Sequence, residues 1–131
     1  MMRTAAATLF MMIASLTATH QSFAQAPVPY DTRAGLTLMR AINTAENAQR
    51  RTTGGYVPLG QLLSHPAMGR VAASVTVNGN DATFMSQQVR LVITPDGQRY
   101  QAAIVGTTAC SPALFTDEGG YIYNGKVLDC P

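Results

Sequence analysis

The sequence predicts an α+β domain, one long amphipathic helix packed on an antiparallel sheet of about four strands. Two observations carry this expectation. Leu38, Ile42, Ala45 and Gln49 recur near helical spacing, flanked by Leu36 and Met39. Beyond Gly69 the pattern changes to strand alternation, clearest in Val89, Leu91 and Ile93 ahead of the turn "PDG". A helix followed by a run of hairpin-linked strands is an α+β plan, since a parallel βαβ sheet would need helices between the strands.

The chain opens "MMRTAAATLFMMIASLTATHQSFAQA". Arg3 precedes a charge-free apolar run at residues 5–18, and Ser22-Phe23-Ala24 supplies a small-x-small cleavage site. This is the three-part pattern of a secretory signal peptide, expected over 1–24. Its apolar core is shorter than the roughly 20 residues a spanning helix needs. The expected domain organisation is then an extended Pro-rich lead-in at 25–30 and a single domain at 31–131. Localisation is expected to be periplasmic or secreted, without membrane insertion once the signal is removed.

Without Arg3, the nine Lys and Arg become eight, against seven Asp and Glu. That balance offers no electrostatic case for nucleic acid or an anionic membrane surface. Two cysteines, Cys110 and Cys130, fall in the mature part. In an oxidising compartment such a pair is most simply a disulfide. The alternative, a metal-binding or redox thiol pair, lacks CxxC spacing and a neighbouring His.

The helix is expected to start at Asp31 or Thr32 as N-cap and to stop at Gly54-Gly55, with Arg50 and Arg51 at its negative end. Arg40, Asn43, Glu46, Asn47 and Arg50 are placed mostly on the solvated side, with Glu46 and Arg50 as an i, i+4 pair. "YVPLGQLLSHPAMG" reads as a loop with one helical turn tucking Leu59, Leu62 and Leu63 against the helix. "RVAASVTV" reads as a strand closed by "NGND", and "QQVRLVITPDGQRYQAAIVG" as a hairpin. "ALFTDEGGYIYNGKVLDC" supplies two or three short strands, with Asn124-Gly125 as a second tight-turn signal.

No catalytic constellation emerges. No serine lies in GxSxG, and the one mature histidine, His65, adjoins Ser64 in sequence, which does not set a nucleophile against a base. Zinc would need three or four His, Cys or carboxylate ligands. Asp117-Glu118, with Asp129, is the local candidate for calcium but lacks the alternating spacing of a calcium loop. As strand neighbours the two acids would point to opposite faces, a poor acid and base pair. Gly54-Gly55 and Gly119-Gly120 sit outside any strand-to-helix phosphate loop. Tyr56, Tyr100, Tyr121 and Tyr123 are expected to pack a sheet face rather than to stack on ligands. Catalytic, cofactor and metal residues are therefore expected to be none.

The stretch "LMRAINTAENAQRRTTGGYVPLGQLL" and the later "FTDEGGYI" resemble the globular part of type IV pilins and type II secretion pseudopilins. Short bacterial pilin-like chains carry an "R-x-INTAE" helix, a "GGY-P-L--L" loop and a "FFTDESG-IR" strand-turn-strand. The similarity covers about residues 36–130. It implies a helix laid across an antiparallel sheet, with Cys110 and Cys130 as the terminal disulfide of such domains. "GLTLMRA" differs from a prepilin site, because Arg40 stands where the family has Glu and polar "NTAENAQRR" follows. The chain thus resembles a pilin domain without its filament anchor. The resemblance implies a non-enzymatic accessory of a surface or secretion apparatus, working through a protein partner of the cell envelope. The alternative is a periplasmic ligand-binding or inhibitor module of similar architecture.

Overall fold

The computed structural model describes residues 31–79, 81–108 and 110–125. The expected signal peptide, the lead-in, Asp129 and Cys130 fall outside the described residues. Cys110 lies in the turn ahead of the fifth strand.

Helix α1 spans Thr32–Thr53. Asp31 caps it, its carboxylate accepting the Ala34 N–H at 3.0 Å, which satisfies one of the four orphan donors of a helix start. Gly54 ends it in the left-handed region at φ 83, donating its N–H to the Arg50 carbonyl, a conformation that favours a residue without Cβ. The single turn α2, Leu59–Leu62, follows Pro58 and buries Leu59 and Leu62, as expected. A 3₁₀ segment, Pro66–Ser74, kinks at Gly69 and buries Met68. It takes in the start of "RVAASVTV", so the strand there begins only at Val75.

The sheet has six strands, not about four: β1 Val75–Asn78, β2 Asp81–Phe84, β3 Gln87–Ile93, β4 Tyr100–Val105, β5 Ala113–Asp117 and β6 Ile122–Gly125. They run as an antiparallel meander in chain order. β1, β2 and β6 have four residues each, too few for alternation to stand out without a partner. The β2–β3 turn hides as well. Met85 and Ser86 adopt φ 47 and 66, a left-handed pair normally supplied by Asn-Gly. With no Gly or Asn there, β2 does not read as a strand of its own ahead of the hairpin that begins with β3.

Asn124-Gly125 is also not a turn. Both residues lie in β6, opposite Leu114 and Ala113. A Cβ on Gly125 would stand 3.0 Å from the Phe115 ring, so this glycine leaves room for an aromatic side chain lying across the strand.

One face of the sheet carries α1. Leu38, Met39, Ile42 and Ala45 pack with Phe84, Val89, Tyr100, Ala102, Ile104 and Leu114 as one core. Removing a Leu or Ile side chain of this kind from water stabilises the fold by about 1.5–3 kcal/mol. The helix crosses this sheet face on a broader stripe than its apolar residues alone mark out, because Asn43 and Glu46 are buried with them.

Candidate interaction surface

Two polar side chains of α1 clasp the distant parts of the fold. Asn43 donates through Nδ2 to the Gly120 carbonyl at 3.0 Å. Its Oδ1 accepts the Tyr100 hydroxyl at 2.6 Å. The Thr116 hydroxyl lies between Asn43 Oδ1, at 3.0 Å, and the Tyr121 carbonyl, at 2.9 Å. One helix side chain thus joins β4, β5 and the β5–β6 turn. One turn on, Glu46 is fully buried and its Oε2 accepts the Val57 N–H at 3.1 Å. Oε1 finds no partner. Burial outweighs the Val57 hydrogen bond and pushes the carboxyl up to about 7.

The expected Glu46–Arg50 pair does not form. Glu46 turns inward, while Arg50 lies over the Tyr56 ring, 5.1 Å from its centre, and donates to the Tyr56 hydroxyl at 2.9 Å. Tyr56 meets Tyr100 edge to face at 4.7 Å. The Tyr56 N–H donates to the Gly97 carbonyl at 2.9 Å. Gly55 passes so close to that carbonyl that a Cβ would sit 3.3 Å away, which explains the second glycine of "GGY". In the same turn Asp96 accepts from the Thr94 hydroxyl and the Gln98 N–H, and the Thr94 bond is the main cause that lowers its carboxyl below the usual value.

The residues singled out for chemistry have structural partners. His65 caps the 3₁₀ segment, its Nδ1 accepting the Ala67 N–H at 3.1 Å. Ser64 donates instead to the Gln61 carbonyl, so the two side chains are not joined. Asp117 accepts the Gly119 N–H at 2.9 Å, and Glu118 faces Arg99 at 3.6 Å. Gly120 supplies the left-handed residue of that turn at φ 76. Among the described residues no group of three His, Cys, Asp or Glu gathers to hold a metal ion.

The outer face of the sheet is different. The register sets Arg90, Ala103, Phe115 and Tyr123 in one cross-strand row, and Val92 and Val105 flank it. Phe115 is 44% exposed, Tyr123 56% and Val92 55%. A shallow groove of about 280 Å³ runs between Arg90, Val92, Phe115, Asp117 and Tyr123. Of the four described tyrosines, Tyr56 and Tyr100 pack inside, whereas Tyr121 and Tyr123 face out. The alternation of "ALFTD" and "YIY" carried the signal, since Phe115 and Tyr123 occupy the opposite phase from Leu114 and Thr116.

No family model, curated protein or solved structure matches this chain. Among the described residues no helix is long and apolar enough to cross a membrane.

Proposed function

We propose that this is a non-enzymatic, pilin-like domain of the periplasm or extracellular space that works by binding a protein partner of the cell envelope. The observation that carries the proposal is the outer sheet face. Phe115, Tyr123, Val92 and Val105 form an apolar strip rimmed by Arg90, Gln101 and Asp117, and no described residue covers it. Aromatic residues with a nearby arginine are the side chains enriched at the centres of protein interfaces. The helix-on-sheet architecture is also what the resemblance to pilins and pseudopilins implies. The three motifs of that resemblance adjoin in space through Asn43, Glu46 and Tyr56, which supports reading them as one unit.

Affinity capture from the envelope fraction with the mature protein tests this function. The expected result is recovery of pilus or secretion components, lost with Phe115→Ser/Tyr123→Ser. Consistent recovery of no such component would overturn the apparatus role. The second reading, a ligand-binding or inhibitor module, has the groove in its favour, but its volume lies just under the usual range for small-molecule pockets, about 300–1,000 Å³. A small molecule retained through purification would support that reading instead.

A further inference from the structure

The near-neutral charge balance of the chain conceals an uneven distribution. α1 contains four arginines, Arg33, Arg40, Arg50 and Arg51, and a single carboxylate, Glu46. Glu46 is fully buried, so its carboxyl does not reach the solvent side of the helix. Asp31, just ahead of the first turn, bends its carboxylate back to the Ala34 N–H. Arg50 is held over the Tyr56 ring. Among the described residues the one ion pair joins Arg99 to Glu118, which leaves Arg33, Arg40 and Arg51 without a counter-charge in contact.

Helical geometry puts these three on one line. At about 100° per residue Arg33 and Arg51 share a direction, and Arg40 falls about 20° away. Ile42, in the core, points the opposite way, so the line is the crest of α1, furthest from the sheet. Thr37, Thr44 and Asn47 fill the gaps, and all six residues are exposed. The Thr37 and Thr44 hydroxyls donate to the Arg33 and Arg40 carbonyls, and Asn47 Nδ2 donates to the Asn43 carbonyl. The crest is thus about 27 Å long, with gaps of about 10 and 16 Å between its guanidinium groups.

That pattern selects the kind of partner. The line has no apolar side chain, whereas protein interfaces are built around a buried apolar or aromatic centre. A nucleic acid duplex carries roughly 16 charges over 27 Å, of which three arginines would neutralise few. A fluid bilayer differs from both, because its lipids diffuse to wherever the guanidinium groups stand. Each guanidinium can then take a phosphate through paired N–H donors.

We propose that the arginine crest of α1 is a peripheral membrane-contact surface that rests on the phosphate headgroups of an anionic phospholipid bilayer without inserting. Each arginine near such a surface contributes about fivefold to partitioning, roughly 100-fold for three, so the attachment is weak, reversible and sensitive to salt. α1 covers one face of the sheet and the Phe115–Tyr123 strip lies on the other. A domain resting on the crest therefore turns that strip away from the bilayer, where a protein partner can meet it.

Sedimentation of the mature protein with vesicles tests this, using phosphatidylcholine alone or with about one-third phosphatidylglycerol. At about 10 mM salt the anionic vesicles are expected to bind roughly tenfold more strongly or better, and the preference to vanish near 1 M, where charges are screened beyond about 3 Å. Arg33→Gln/Arg40→Gln/Arg51→Gln should abolish the preference, whereas Arg90→Gln/Arg99→Gln, on the sheet, should leave it nearly intact. The three helix positions are exposed and Gln is a good helix former, so the variant should fold, and its melt verifies this. With a paramagnetic lipid in the anionic vesicles, Thr37 and Thr44 amide signals should broaden more than those of Val92 and Phe115. The reverse order would put the sheet face on the bilayer and overturn the assignment. Phe115→Ser/Tyr123→Ser should leave vesicle binding unchanged, so failure here is distinguishable from failure of the aromatic face. No binding to anionic vesicles, equal binding to both kinds, or a preference untouched by the triple variant would sink the idea. Capture of duplex DNA or an acidic peptide in place of vesicles would give the crest to another anionic partner and overturn it equally.

Discussion

Asn43, in the middle of α1, holds the Gly120 carbonyl at 3.0 Å from a position 77 residues away in the chain. The same side chain accepts the Tyr100 hydroxyl, so the helix, β4 and the β5–β6 turn share one buried amide. That contact gives "FTDEGG" its fixed shape and orients the hairpin bearing Phe115 and Tyr123.

Asn43→Ala is therefore expected to cost about 3 kcal/mol, because it leaves buried acceptors and hydroxyls without partners. Urea denaturation measures this. Gly119 and Gly120 amides should also exchange faster in the variant. A loss below about 0.5 kcal/mol would show that the clasp contributes little.

Glu46 sets a pH dependence. Its carboxyl rises from an ordinary 4.5 to about 7, chiefly through burial. The folded state therefore holds the proton more tightly than the unfolded chain. The stability this contributes is fully present below about 4.5 and is lost as pH rises through about 7. The shift corresponds to about 3 kcal/mol. The stability of the native protein relative to Glu46→Gln should fall by roughly that amount between pH 4.5 and 8. A pH-independent difference between the two would refute it. Tyr100 is held above the usual tyrosine value by burial first and then by Glu46, so it stays neutral across this window.

The Met85-Ser86 turn is strained at both residues. Met85→Asn with Ser86→Gly should stabilise the protein by about 1–2 kcal/mol, since these residues enter the left-handed region at lower cost. Both positions are exposed, so no core contact is lost. An unchanged or lower melting temperature would count against this account of the turn.

Reduction tests the cysteines. Opening a bridge between Cys110 and Cys130 should lower the melting temperature by at least several degrees, because a crosslink over such a loop is worth roughly 3 kcal/mol. Matched melts with and without reductant, alongside Cys110→Ser in both, measure this. No shift would mean the cysteines are not bridged.

Much of the fold was legible because its signals are local. Asp31 as cap, Gly54 as stop, the turn of α2 and the "PDG" reversal each depend on residues within a few positions of one another. Polarity alone puts Asn43 and Glu46 on the solvated side of the helix. Their burial rests on Tyr100, Thr116, Gly120 and Val57, which helical spacing does not reveal. Asn124-Gly125 has turn chemistry, yet β5 draws it into a strand and the Phe115 ring explains the glycine.

The sequence by itself determined one helix and its two ends, the switch from helical to strand periodicity, and the central hairpin. Hydrogen bonds within a few residues specify such elements wherever they lie in the fold. Tertiary structure decided that the sheet has six strands, that two polar residues of α1 lie inside, and which aromatic rings face out. Each of those depends on groups brought together across long stretches of chain, where a four-residue strand or a lone buried amide becomes favourable only once its partner is in place.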